Sequence, residues 1–348
     1  MKVGLFVGTH RIFTAEGGIG RYMRSLDSHM ASRRLHGMTV ERVEAPPSKY
    51  EMPNTILWSA FSNINSYDVL HVLGPLPLFQ LLYKRHRNVI ITTAHDFMPT
   101  SWIAANIKNP VERTFQKKIA DLRISLNSDY LIAISSQTKQ QAIDLGFDGK
   151  RIKVINYGID ENFFVPIKKK KESKTFRLGY IGTFPVRKNV KFAVSAFMLT
   201  KDKNMRFELS GRRDNEYHDL VRQSRSDKRI KFLGPFEERG MTDKDAPYVY
   251  DMFDAMVFPS VEEGFGLPII EAQTRGLPVV MCKQSRVPKE VRKMCFEAED
   301  EAHMAQIIQD LKDNGFNEKR RKATIAYARS FTWDKNIKET VNFYKEVS

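Results

Sequence analysis

Cysteine is almost missing: Cys282 and Cys295 are the two in 348 residues. Two thiols make neither a disulfide framework nor a metal site by themselves. They read as buried thiols of a reducing cytosol. No run of about 18 apolar residues occurs, so the sequence offers no membrane-spanning helix. The opening "MKVGLFVGTH" lacks the long apolar core of a secretory leader and reads as a buried strand. Repeats of 20 to 50 residues and sustained heptads are missing too, which removes solenoids and coiled coils. Nor are basic residues interleaved with aromatics in a recognisable module, so no nucleic-acid partner is expected.

What is present is an ordinary globular composition, 42% hydrophobic, in a chain long enough for two domains of roughly 150 residues. The formal charge is +15, and +9 of it falls on residues 1–170. Such a surplus by itself suits an acidic partner: nucleic acid, anionic lipid or a phosphorylated small molecule.

Short apolar runs alternate with helical stretches, the pattern of α/β folds with parallel sheets. Strands are expected at 2–8, 39–45, 68–73, 88–95, 130–135 and 152–158, with helices at 18–35, 75–86, 110–127 and 136–145. "KKKKESK" begins at Lys168, carries no apolar period and reads as a solvated linker. A second strand series follows at 176–182, 206–211, 230–234, 255–260 and 278–282. Both series open on a strand ending in glycine. Two doubly wound domains facing across a cleft are the simplest arrangement. The tail from about 332 is amphipathic, with Trp333, Ile337, Val341 and Tyr344 near helical spacing.

Ligands of open α/β sheets bind beyond the carboxyl ends of strands, so the turns after these strands carry the interest. "TAEGGIGRY" follows the first strand, and Gly17 and Gly18 free the backbone at a helix start that could meet phosphate. A purely structural glycine turn explains it equally well. "TTAHDFMP" puts His95 at a strand end, where it could donate to a sugar hydroxyl; a lone histidine there is more often structural. His71, inside "DVLHVL", is the better core histidine. "GYIGTFPVRKNV" sets Arg187 and Lys188 side by side on a loop opening a helix, a fork and a point charge suited to a diphosphate.

"FPSVEEGFGLPIIEAQTRGLPVV" is the most specific stretch. Pro268 suits the first turn of a helix running to about Arg275, with Gly276 as its stop. Gly264 and Gly266 let amides at the helix start face an anion, with the dipole contributing up to ~1 kcal/mol. Glu263 sits on the loop and Glu271 one turn into the helix. Two carboxylates so placed can hold vicinal hydroxyls of two sugars, for instance a ribose and a transferable hexose.

With those residues in hand, the chain resembles the family-4 retaining glycosyltransferases of the GT-B fold, whose motif is E-x7-E. Glu263 and Glu271 match both motif glutamates. "EGGIGRY" resembles the family's glycine loop, "AHD" its sugar-site histidine, "INYGID" the exit from its first domain and "GTFPVRKN" a phosphate-side loop. The resemblance implies two Rossmann-like domains: residues 1–167 on the acceptor side, a linker at 168–175, and a nucleotide-sugar domain at 176–331. A terminal helix over 332–348 would cross back to the first domain. It implies a hexosyl transfer from a UDP- or GDP-sugar to a glycan or lipid-linked acceptor, with retention and without a metal or other cofactor. Glu271 would hold ribose hydroxyls and Glu263 the transferred sugar. Gly264, Phe265, Gly266 and Leu267 would present amides. Arg187 and Lys188 would face the leaving diphosphate with Gly17 and Gly18 opposite, and His95 would contact the donor sugar.

"DKD" at 243–245 mimics a metal-binding D-x-D but lies off the nucleotide-side strand ends, so chance is the simpler account. Segment 82–123, basic beside Phe115, Ile119 and Leu122, is expected to rest on an anionic membrane at the cytoplasmic face. A sugar-nucleotide epimerase of the same fold, and a silent scaffold subunit, are the rival readings.

Overall fold

The computed structural model describes residues 1–9, 18–30, 34–35, 37–45, 66–73, 88–97, 110, 128–167, 174–213 and 216–348. The expected helices at 75–86 and 110–127, Gly17, and nearly all of the basic 82–123 segment lie outside them. The chain divides into two compact units, Met1–Gly158 with Trp333–Ser348, and Ile159–Thr332.

The first unit holds a sheet of seven strands: β1 (Lys2–Thr9), β2 (Arg34–Leu35), β3 (Met38–Ala45), β4 (Val69–Val72), β5 (Val89–Ala94), β6 (Tyr130–Ala133) and β7 (Ile152–Val154). Their order is β2-β3-β1-β4-β5-β6-β7. All neighbours are parallel except β2 and β3, which form an antiparallel hairpin about Gly37, at φ +82°. That hairpin corrects the expected helix over 18–35: the helix is Gly18–Met30, and Arg34 and Leu35 pair with Thr39 and Met38 instead. Central strands are buried on both faces, which is why they read as apolar runs. β4 is buried along its whole length, His71 included.

The tail helix, Trp333–Val347, packs into this same unit. Its buried positions are Trp333, Asn336, Thr340, Val341, Phe343 and Tyr344; Ile337, expected on the buried stripe, is half-buried. Asn336 donates to the Asn156 carbonyl at 2.7 Å. A Cβ on Gly158 would stand 2.6 Å from the Trp333 backbone nitrogen, so only glycine lets the helix start so close.

The second unit holds β8 (Phe176–Ile181), β9 (Met205–Ser210), β10 (Ile230–Phe232), β11 (Ala255–Phe258), β12 (Val279–Cys282) and β13 (Phe296–Ala298), all parallel, ordered β10-β9-β8-β11-β12-β13. This is the doubly wound order, which reverses between β8 and β11 and opens a crevice beyond their carboxyl ends. Leu178, Phe207, Leu209, Val257 and Val280 meet Val194, Phe197 and Ile308 in one core. Each such side chain contributes about 1.5–3 kcal/mol by leaving water. The two thiols are free and buried; burial pushes Cys282 up to about 11 and Cys295 up to about 12, which leaves both inert.

Residues 159–167, expected with the first domain, belong to the second unit. The reason is a side-chain grip. Arg275 donates to the carbonyls of Phe163 (3.1 Å), Val165 (2.6 Å) and Pro166 (3.2 Å), and the Phe163 ring packs edge-on against Tyr250 at 5.6 Å.

Candidate active site

Three adjacent strands of the second sheet run into glycine: Gly182 after β8, Gly211 after β9 and Gly234 after β10. At Gly211 the demand is absolute, since a Cβ there would lie 1.7 Å from the Gly182 carbonyl oxygen. Of the three, Gly182 borders the topological switch point between β8 and β11. From Gly182 the chain passes through Thr183, Phe184 and Pro185 into a short turn, Val186–Lys188. Asn189, left-handed at φ 48°, then starts the Val190–Leu199 helix; asparagine tolerates that conformation better than most residues.

The loop after β11 is laced to its neighbours through main chain. The Val261 amide donates to the Arg187 carbonyl (2.8 Å), the Arg286 amide to Val261 (2.7 Å), and the Glu263 amide to Arg286 (3.0 Å). Phe265 is buried and meets Phe331 edge-on at 6.0 Å. Gly266, at φ +98°, turns the chain into the Leu267–Thr274 helix with Pro268 in its first turn. Gly264 and Leu267 are half-buried beside it.

These loops bring Arg187, Lys188 and Glu263 together. Glu263 Oε1 accepts from Lys188 Nζ at 2.6 Å and from an Arg187 terminal nitrogen at 3.2 Å. The Lys188 and Glu263 side chains are 12% and 11% exposed, against 43% for Arg187. Burial alone would raise the Glu263 carboxyl, but the two cations outweigh it and hold it below its usual range. Burial lowers the Lys188 ammonium despite the pull of Glu263, with Arg187 adding repulsion. Lys188 Nζ also lies 5.4 Å from the centroid of the Phe258 ring. The pair is therefore a nearly dry ion pair with a second, more exposed cation at its edge.

Glu271, fifth in its helix, is 4% exposed and accepts from the Tyr250 hydroxyl at 2.6 Å.

Residues 16–163 match the model of Glycosyltransferase Family 4, and residues 175–314 match that of Glycosyl transferases group 1. The chain belongs to the family-4 glycosyltransferases. Over 175 residues the chain is 34% identical to the O-antigen chain mannosyltransferase B of Escherichia coli, a match covering 48% of the chain and 45% of that relative. The chain thus spans less than half the length of that curated relative. Its fold matches HepE of Anabaena in complex with UDP-glucose, with a TM-score of 0.72 at 16% identity over 99% of this chain and 100% of that one. Sucrose-phosphate synthase from Thermosynechococcus elongatus gives 0.76 at 17% identity over 99% and 98%. Likenesses at such identity establish the fold, which is GT-B.

In the first unit of the chain, Gly18 opens its helix exposed, and no described atom lies within 4 Å of where its Cβ would be. His95 is 6% exposed and both its ring nitrogens are engaged. Nε2 lies 2.6 Å from the Leu73 carbonyl oxygen, which can only accept, so Nε2 carries the proton. Nδ1 then accepts from the Tyr157 hydroxyl. Burial lowers the imidazole's pKa, against the Leu73 carbonyl and Asp96, which raise it. The Tyr22 ring meets His95 edge-on at 5.1 Å and stacks on Tyr157 at 4.7 Å. The histidine is therefore set in an aromatic wall whose partners come from separate elements.

Sequence reasoning did not find Tyr250 as the partner of Glu271 or Asp251 as the partner of Arg275, since no periodicity ties 250 to 271. In the "DKD" turn, the Asp245 carboxylate accepts from the Thr242 amide and hydroxyl, both at 2.9 Å, a turn-capping arrangement. Among the described residues no three His, Cys, Asp or Glu side chains cluster as a metal site.

Proposed function

We propose that this glycosyltransferase moves a hexosyl unit from a UDP- or GDP-sugar to a glycan or lipid-linked acceptor in polysaccharide or glycolipid assembly, with retention and without a metal. The observation that carries it is the convergence of Arg187 and Lys188 on Glu263, beside the glycine-started helix that bears Glu271, at the switch point of the second sheet. The E. coli relative named for O-antigen chain mannosyl transfer and the HepE complex with UDP-glucose support that choice of substrates.

In this mechanism Glu271 holds the ribose hydroxyls and Glu263 those of the hexose. The amides from Gly264 to Leu267 face the sugar and phosphate. Arg187 and Lys188 stabilise charge on the departing diphosphate. The acceptor oxygen bonds to the anomeric carbon on the face the phosphate leaves. The anomeric C–O bond breaks with its electrons on the phosphate oxygen, which takes the acceptor's proton. Positioning and electrostatics supply the acceleration. His95, with both ring nitrogens engaged, moves no proton.

The test is a transfer assay in excess chelator with parallel nucleotide titrations. Glu263→Gln should slow transfer roughly hundredfold, as misplacement of a reacting sugar by about 1 Å does. Glu271→Ala should weaken nucleotide affinity about tenfold, or ~1.4 kcal/mol. Negligible effects from both, or activity restored only by divalent ions, would sink this reading.

The surplus of charge supports a peripheral site on the cytoplasmic membrane face, where each cation near an anionic surface contributes about 1 kcal/mol. Flotation with anionic liposomes should be lost in high salt; flotation indifferent to salt and lipid charge argues against it.

A further inference from the structure

We infer that Tyr250 is the positioning residue that aims Glu271 at the donor ribose, and so sets the preference for ribonucleotides. The inference rests on the reading of Glu271 given above and extends it to a residue that does not touch substrate.

A buried carboxylate needs donors, and the direction of those donors fixes its plane. Glu271 Oε2 receives the Tyr250 hydroxyl at 2.6 Å. Tyr250 ends the Ala246–Tyr250 helix, is 1% exposed, and is packed edge-on against Phe163. The next residue, Asp251, takes two nitrogens of Arg275, at 2.8 and 2.7 Å. Glu271 and Arg275 are one helical turn apart, so they share a face. Two consecutive residues thus grip two successive turns of the helix, and the phenol has little freedom to swing. A carboxylate that must meet two vicinal hydroxyls needs its plane set in advance; otherwise binding must supply the ordering. Removing the phenolic hydroxyl takes away that donor without removing the carboxylate.

The experiment is calorimetric titration of the full chain with UDP and GDP, each against its 2′,3′-dideoxy counterpart. The wild type should prefer the ribose form of the diphosphate it binds by tenfold or more. Tyr250→Phe should reduce that preference at least fivefold, while affinity for the dideoxy form stays within twofold. A merely structural role would weaken both ligands together. An unchanged preference in Tyr250→Phe overturns the inference. Glu271→Gln separates the two layers: if it abolishes the preference while Tyr250→Phe leaves it intact, only the role of Tyr250 falls. If Glu271→Gln also keeps the preference, or if neither diphosphate binds the wild type, the ribose reading falls and takes this one with it. Should Tyr250→Phe unfold at the assay temperature, Phe163→Leu loosens the ring's seat and should lower the preference about twofold; no change there is equally decisive against it.

Discussion

Arg275→Met should destabilise the second unit by about 3–5 kcal/mol, the cost of breaking a buried ion pair from one side. Arg275 is 2% exposed and its N–H groups face two carboxylate oxygens of Asp251 and the carbonyls of Phe163, Val165 and Pro166. Methionine fills part of the volume but donates nothing. Asp251, itself buried, would keep a charge without its counterion, and the 163–166 strap would lose three anchors. For a unit of this size the melting temperature should fall by roughly 10 °C. The double change Arg275→Met with Asp251→Asn should recover part of the loss, because the uncompensated charge goes with it. A melting temperature within 2 °C of wild type in Arg275→Met would show that the grip contributes little. Hydrogen exchange at the amides of 163–165 should rise in step with the loss.

That same grip marks where sequence reading stops. Parallel strands buried on both faces announce themselves as apolar runs, so the series at 255–260 and 278–282 was legible; the switch point between β8 and β11 was not, because it depends on strand order. β2 has two residues and β13 three, too short for any period to register. The domain boundary was placed at the charge run, where composition changes. In the folded chain it falls before Ile159, because a guanidinium more than a hundred residues away holds the strap, and such a partner leaves no local trace. The candidate site divides the same way. Glycines, proline and paired glutamates lie within one short stretch and could be read together. Which cation would face which carboxylate could not: Arg187 and Lys188, expected toward a diphosphate, also neutralise Glu263. His95 was found by its place at a strand end, but the partners that occupy its ring, Leu73 and Tyr157, come from other elements of the unit.

Acid should weaken the first unit through His71 more steeply than carboxylates alone account for. The ring is fully buried, with Nδ1 2.5 Å from the Tyr344 hydroxyl and Nε2 2.7 Å from Thr93 Oγ1. Burial, aided by His95 nearby, lowers its pKa from 6.5 to about 3. Among the described residues no carboxylate is a cause of that shift, and the groups against the ring are the two hydroxyls, with His95 nearby. The sign follows from proton uptake. Above pH 6.5 both the folded and unfolded chains hold a neutral ring, and stability is complete. Between 6.5 and about 3 the unfolded chain takes a proton that the folded one refuses, so stability falls by ~1.4 kcal/mol per pH unit. By pH 4 the loss from this residue is about 3 kcal/mol, with His95, lowered in the same direction, adding to it. Since the helix bearing Tyr344 is the tail that packs into this unit, its release should accompany the loss. His71→Gln keeps an amide for the two hydroxyls and removes the titration. Denaturant unfolding from pH 7 to 4 should therefore give a slope shallower by one proton in His71→Gln than in the wild type, whatever the variant's stability at neutral pH. Equal slopes would mean that His71 is protonated within the fold, and that the wall it shares with Tyr344 and Thr93 opens to water before the unit unfolds.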